Sequence, residues 1–375
     1  MRTLVIHGES VFCAGAQKML GYFAEGSAAA GIHLAIARAD NPRLDPLLPP
    51  GTRTFRIPSN QQFTLPGLLR QAVAVRRIAR QGNFAVLHGW TARDWETTAL
   101  SGLISRRPTL GLLHDHPLAP HISSGRRRVM KLCARRGLDR VLCVSGAVAS
   151  ACSLAGYPSN RLLVIRNGIP HPPAPAPPEP GPTIRLGYLG VFSERKGLRV
   201  LFQMLDRLGE ARPDGWELHL AGGAQDPDGN RLVDELRARY SGRAWWPRLH
   251  WIGWVDTPAT FLATVDLLIV PSSEFDPFPT VLLEAGSATR PVIAARVGGV
   301  PEIVIDGGTG WIFDPSRAVE AGDQLAALVR EPGRLREAGQ AAAIRVRAEF
   351  GVARMADDYL RAYRELTSRG ISPAL

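Results

Sequence analysis

Cysteine is scarce in this chain of 375 residues. Cys13, Cys133, Cys143 and Cys152 include no CxxC pair, so they read as buried cytosolic thiols and not as a disulfide frame. Long apolar runs are missing as well. No stretch approaches the ~18 apolar residues needed to span a bilayer. The opening MRTLVIHGES breaks at once into polar residues, as a first core strand does and a secretory signal does not, so the expected location is cytoplasmic. The arginines come without interleaved aromatics or a binding motif, so nucleic acid is not an expected partner. A long internal repeat is also lacking.

The chain does have ordinary globular material, with 45% hydrophobic and 21% charged residues. Its length suggests about two domains. Both halves alternate short apolar runs with longer amphipathic ones. RTLVIHG, HLAIARA, FAVLHGW, TLGLLHD, RVLCVSG and LLVIRNG read as strands of the first half. TIRLGYLG, WELHLAGG, RLHWIGW, DLLIVPS, PVIAARVGG and GWIFD read as strands of the second, which closes on a long pair of helices. Strands that alternate with helices imply an α/β fold of two Rossmann-like parallel-sheet domains. HPPAPAPPEPGP, residues 171–182, can form neither regular helix nor ladder and reads as a linker between domains 1–170 and 183–375. Two such domains would leave a ligand cleft at the carboxyl ends of their strands.

The net charge of +11 is divided unequally. Residues 1–180 carry 22 Lys and Arg against 9 Asp and Glu, a net of +13, and residues 181–375 carry 23 against 25, a net of −2. A one-sided field speaks of partners more than of fold. The basic residues concentrate in RRRVMKLCARRGLDR (126–140) and RQAVAVRRIARQG (70–82). In the first, Val129, Leu132 and Cys133 are expected to face the core. The two readings are a solvated basic face and attraction to anionic lipid headgroups.

The densest pattern is PSSEFDPFPTVLLEAGSATRPVIAARVGGVPEIVIDGGTGWIFDP, residues 271–315. Two acids, Asp276 and Glu284, flank the start of an apolar helix, whose N-terminus carries roughly half a positive charge and unpaired N–H groups. With LGYLGVFSERKGLRVL (186–201), VFCAGAQKML and VIRNGI, this order of motifs resembles the retaining nucleotide-sugar glycosyltransferases of family 4, glycosyl transferases group 1, which have the GT-B fold. The resemblance implies a retaining, metal-independent hexosyltransferase-type enzyme. Its second domain would bind a nucleoside diphosphate sugar and its first a glycan or lipid-linked acceptor. A role in polysaccharide or glycoconjugate synthesis and a peripheral place on the inner membrane face would follow. The final helix, about 353–370, would cross back to the first domain.

The resemblance also assigns residues. Glu284 would bond the donor ribose, and Asp276, with Glu274 able to share the role, would reach the donor sugar. The competing reading makes Asp276 a helix cap with Pro277 in the first turn. Phe278, Pro279 and Thr280 would open the helix and offer amides to the diphosphate. Lys196 would neutralise the leaving β-phosphate. Val191 stands where the family carries Arg, and Arg195 is a candidate replacement or a solvated charge. His114 would donate to a sugar hydroxyl, or is a packed strand-end histidine. Gly15 would approach donor and acceptor, with Ala14 beside it. Gly190, Gly222, Gly223, Gly253 and Trp254 would line the nucleotide, or are structural turns. DPD, residues 226–228, resembles a metal motif by coincidence, and no cofactor or catalytic metal is expected. Two other classes keep the same cleft: a nucleotide-sugar epimerase and a non-catalytic nucleotide-sugar-binding protein.

Overall fold

The computed structural model describes residues 1–8, 15–59, 64–171, 181, 183–212 and 214–368. Cys13, Ala14 and, apart from His171 and Gly181, the proline run lie outside the described residues. The first elements in chain order are β1 (Arg2–His7), α1 (Gly15–Ser27), β2 (His33–Arg38), β3 (Arg53–Arg56), α2 (Leu65–Gln81), β4 (Val86–Gly89), α3 (Trp95–Ser105), β5 (Thr109–Leu113), α4 (Ser124–Leu132), β6 (Arg140–Cys143), α5 (Gly146–Leu154) and β7 (Leu162–Val164). They are followed by β8 (Ile184–Val191), α6 (Leu198–Ala211), β9 (Trp216–Gly223), α7 (Pro227–Tyr240), β10 (Leu249–Gly253), α8 (Pro258–Leu262), β11 (Leu267–Val270), α9 (Thr280–Ser287), β12 (Val292–Ala295), α10 (Val300–Ile303), β13 (Trp311–Phe313), α11 (Ala318–Val329), α12 (Pro332–Glu349) and α13 (Val352–Ser368).

The chain divides into two compact units, Met1–Pro170 with Phe350–Leu375, and His171–Glu349. Each is a doubly wound parallel sheet. The first has the strand order β3-β2-β1-β4-β5-β6-β7 and the second β10-β9-β8-β11-β12-β13. Strands β4, β5, β11 and β12 are buried along their whole length, because helices cover both faces of a parallel sheet. The order reverses between β1 and β4 in the first unit and between β8 and β11 in the second. These are the switch points, where α/β sheets open a crevice at the carboxyl ends of their strands.

In the first unit, α13 lies on α1, with Tyr359 and Tyr363 fully buried. The Tyr363 hydroxyl is 2.8 Å from Nδ1 of His88 on β4, so one hydrogen bond ties α13 to the centre of the sheet. Gly26 of α1 has the Val352 carbonyl 3.0 Å from where a Cβ would sit, so a side chain there would push the two helices apart. In the second unit, α6, α7 and α11 close over Leu186, Leu218 and Leu220.

Several sequence expectations need correction. Cys133 is buried as expected, but Val129 and Leu132 face outward, and Met130, Ala134 and Leu138 are the other buried residues of this segment. The buried stripe runs through Met130, Cys133 and Ala134 at ordinary helical spacing, which turns Val129 and Leu132 outward; beyond it the chain widens over Cys133–Gly137, where Leu138 N–H reaches the Cys133 carbonyl five residues back. Strand β3 carries no alternating pattern because it is an edge strand with a mostly exposed face. Helix α5 is small and apolar; its N-terminal signal is Ser145, whose Oγ accepts from Val148 N–H at 3.1 Å. Among the described residues three helices, not two, follow β13. Cys133, Cys143 and Cys152 are free and buried, and burial pushes the Cys133 thiol up to about 11, which makes it unreactive.

Candidate functional site

At the carboxyl end of β8, residues 192–197 turn into α6. Ser193 Oγ accepts from Lys196 N–H at 3.3 Å, and Glu194 O accepts from Gly197 N–H at 2.8 Å. Gly197 has φ +74°, and a Cβ on it would lie 1.7 Å from the Pro271 carbonyl oxygen. No other residue type allows this approach without strain. The turn is pinned further by Ser273, whose N–H donates to Arg195 O at 3.1 Å and whose Oγ donates to Glu194 O at 2.6 Å.

The result brings together two residues 80 apart in sequence. Lys196 Nζ donates to Asp276 Oδ2 at 2.6 Å, and Ser272 Oγ donates to the same oxygen at 3.4 Å. The carboxylate is 7% exposed and the ammonium 28%. Asp276 is also held by its main chain: Gly299 N–H donates to its carbonyl at 2.9 Å, and a Cβ on Gly298 would sit 1.9 Å from that oxygen. The chain uses lysine at only three positions, Lys18, Lys131 and Lys196, and arginine for the rest of its 45 basic residues. A compact ammonium is therefore the exception in this chain, and it stands beside a buried acid at the switch point.

Helix α9 begins at Thr280, with Pro279 at the cap position and no side chain capping it. The cap reading of Asp276 is thereby excluded. Phe278 and Pro279 precede the helix and are buried, so among the three expected residues only Thr280 opens it. Glu284 lies half-buried one turn into α9. Glu274 and Arg195 are exposed, unlike Asp276 and Lys196.

The glycines have packing reasons. Gly190 and Gly222 are register partners on β8 and β9, and Gly222, at φ +126°, would place a Cβ 1.9 Å from the Gly190 carbonyl oxygen. Gly223 lies under the indole of Trp254, whose Nε1 is 2.8 Å from where its Cβ would be. Gly253 has φ +79° and open space around it, and Trp254 is 61% exposed. Asp226 of the DPD run caps α7 by accepting from Gly229 N–H at 2.7 Å, and Asp228 pairs with Arg231.

The switch point of the first unit holds a second cluster. His114 follows β5, with its ring 5.6 Å from that of Trp90. Part of the residue reaches the surface, but Nε2 is enclosed and has no hydrogen-bond partner. Burial pulls its pKa down to about 4, against a hydrogen bond with the Trp90 main chain that pulls the other way. The ring is neutral at pH 7 and can present a donor without charge. Gly15 is exposed at the start of α1, and Trp90 Nε1 donates to Ala16 O at 2.7 Å, which fixes that start.

Sequence reasoning missed Asp94, which is 2% exposed. Its Oδ1 accepts from Gly8 N–H at 2.7 Å and its Oδ2 accepts from Thr91 N–H and Oγ1 at 2.9 Å each, with His7 Nδ1 at 3.8 Å. The pattern Thr91-x-x-Asp94 before a helix was the available signal. Ser272, Gly298 and Gly299 were missed too, because only the folded chain shows that they grip Asp276.

Two family models match in succession, Glycosyltransferase Family 4 over residues 14–171 and Glycosyl transferases group 1 over residues 183–331. The chain belongs to the family-4, group 1 glycosyltransferases. Its fold is GT-B. Anabaena Alr3699/HepE in complex with UDP superposes with a TM-score of 0.85 at 22% identity over 98% of this chain and 100% of that one. Sucrose-phosphate synthase from Thermosynechococcus elongatus gives 0.79 at 20% identity, over 99% and 100%. Among curated relatives, alpha-maltose-1-phosphate synthase of Mycolicibacterium smegmatis is 30% identical over 260 residues, 61% of this chain and 64% of the relative. Glycogen synthase of Mycobacterium tuberculosis is 30% identical over 195 residues, 51% and 45%. The chain thus spans about half to just under two thirds of the length of these curated relatives.

Proposed function

We propose that this family-4 chain transfers a sugar from a nucleoside diphosphate sugar to a glycan or lipid-linked acceptor with retention, and that it needs no catalytic metal. The observation that carries this reading is the Lys196–Asp276 pair at the β8/β11 switch point, beside an uncapped helix start with Glu284 one turn in. Lys196 and the amides at the start of α9 would hold the diphosphate, and Glu284 the ribose. Asp276 would exchange its ammonium partner for a hydroxyl of the donor sugar. In the reaction, the bond from the sugar C1 to the β-phosphate oxygen breaks. The acceptor oxygen bonds to C1 from the same face, and its proton passes to the departing phosphate. The protein's part is positioning and stabilising the leaving charge. His114 Nε2, enclosed and unpartnered, would donate to a sugar hydroxyl. HepE, which shares the fold, has been crystallised in complex with UDP-glucose, and this supports a uridine donor first in any screen.

The same reading includes a peripheral place on an anionic membrane. Helix α2 exposes Leu65, Leu69 and Val73 at four-residue spacing beside exposed Arg70, Arg77 and Arg80. Helix α4 exposes Val129 and Leu132 beside Arg128. Among the described residues no helix is long and apolar enough to cross a membrane. An amphipathic face of this kind binds by burying apolar side chains among headgroups while its arginines meet lipid phosphates.

The test is incubation with UDP-, GDP-, ADP- and TDP-sugars plus glycan and lipid-linked acceptors, with the product anomer read by NMR. Release of nucleoside diphosphate with an acceptor glycoside of unchanged anomeric configuration is expected. Glu284→Ala is expected to raise the donor KM at least tenfold, since a charged hydrogen bond contributes about 1.5–3 kcal/mol. Conversion of the donor sugar without acceptor, or donor binding indifferent to Glu284→Ala, would refute the assignment.

A further inference from the structure

The second unit carries a cluster that the reaction does not use. Glu217 and His219 stand two residues apart on β9 and so share one face, opposite Trp216, Leu218 and Leu220, which enter the core. His250 on β10 is the register partner of His219. His219 Nε2 is 3.1 Å from Glu217 Oε1, and His250 Nε2 is 3.4 Å from Glu217 Oε2. The two imidazoles meet edge to face with centroids 5.1 Å apart. One donor atom from each residue lies within 4.8 Å of the others. Among the described residues this is the one such group of three.

Tetrahedral zinc with ligands at ~2.0–2.2 Å holds its donor atoms about 3.3 Å apart, so these side chains need little adjustment to close on an ion. Two imidazoles and one carboxylate suit Zn²⁺; Mg²⁺ and Ca²⁺ prefer oxygen alone. Glu217 is also not consumed by the guanidinium on the neighbouring strand. Arg185, its register partner on β8, binds Asp266 through two hydrogen bonds of 3.0 and 2.9 Å. The His250 side chain is 45% exposed, which leaves an entry path and a fourth position for water.

We propose that Glu217, His219 and His250 form a Zn²⁺ site that staples the edge strand β10 to β9. Strand β10 is the last of its sheet, and its register slips between Trp251 and Gly253, just before Trp254 covers Gly223. An ion bridging His219 and His250 ties that edge to the rigid strand beside it. The site acts on structure and takes no part in sugar transfer.

The experiment uses the tag-free full chain, stripped of metal with a chelator, titrated with ZnCl₂ by calorimetry and followed by thermal unfolding, with MgCl₂ as control. One saturable Zn²⁺ equivalent and a raised Tm are expected. His250→Ala lies on an exposed edge, so it is expected to keep the metal-free Tm. It should weaken Zn²⁺ binding by more than the ~10–100-fold typical of groups that only orient a ligand. Glu217→Gln is a second variant that retains shape. Anomalous scattering at the zinc edge should place the ion between the two rings. A lack of saturable binding, binding in both variants unchanged from the wild type, or equal binding of Mg²⁺ would overturn the proposal, and each leaves the transfer reading untouched.

Discussion

Lys196 and Asp276 show what a residue-level pattern can and cannot say. Both positions were named as site residues through the resemblance to family 4, since an acid before an apolar helix reads by itself as a cap. Their direct ion pair was not legible, because 80 residues of chain separate them and only the turn locked by Gly197 aims the ammonium. Removing Lys196 leaves a nearly buried carboxylate that keeps the Ser272 hydroxyl at 3.4 Å. Lys196→Ala is therefore expected to lower kcat about 10²–10³-fold, as loss of one leaving-charge stabiliser does. It should also cost about 1–3 kcal/mol of stability, part of it recovered in Lys196→Ala/Asp276→Ala. Chemical unfolding of the three proteins checks the second half. His114 and His88 make a separate residue-scale prediction. Burial lowers both, to about 4 and about 3. Since the unfolded chain binds those protons near pH 6.5 and the folded chain does not, their stability is fully present above that pH. It is lost as pH falls from about 6.5 toward 4. His114→Gln should flatten the fall in Tm over this window; an unchanged slope would show that the ring is already charged.

At the scale of elements, the apolar periods announced nearly every strand of the two sheets, since strands buried on both faces must read as Val, Ile and Leu runs. Misses came where an element had no such need. β3 lies at an edge, and α5 is nine residues of small side chains. The error on α4 has a different source. The apolar residues Val129 and Leu132 share no face with Met130, Cys133 and Ala134, and only packing shows that the second set is the buried one. Glycine carries the main prediction here. Gly197→Ala must place a Cβ against the Pro271 carbonyl at a positive φ. A cost of about 1–3 kcal/mol is expected. The turn that presents Lys196 should move with it, so transfer should fall while the far-UV circular dichroism stays constant. Gly15→Ala, with open space around its Cβ, is the control and should unfold like the wild type.

For the whole molecule, the division of charge is the sharpest feature. The basic excess lies entirely in residues 1–180, and the described structure shows that several of those arginines are structural. Arg126 pairs with Glu96 and binds the Ala92 carbonyl, and Arg127 donates to Leu118 O and Ala119 O. Other arginines are exposed, and those on α2 and α4 come with exposed leucine and valine. Vesicle binding is therefore expected to need both forces. Flotation with anionic vesicles should fall as salt rises from 0.05 to about 0.5 M, because screening shortens to a few ångströms. It should fall further in Leu69→Ser/Val73→Ser at any salt. Equal flotation with zwitterionic vesicles would remove the membrane reading.

The sequence by itself determined the class of fold and the two parallel sheets, and its resemblance to family 4 named the candidate donor residues. Burial periodicity, turn chemistry and acid placement are local properties, and they survive being read one window at a time. Only the tertiary structure decided which acid is buried and which exposed, that Asp276 is a partner of Lys196 and not a cap, that Asp94 gathers Gly8 and Thr91, and that two strands bring Glu217, His219 and His250 together. Each of these depends on where separate strands end relative to one another, and register across a sheet is set by the packing of the whole unit.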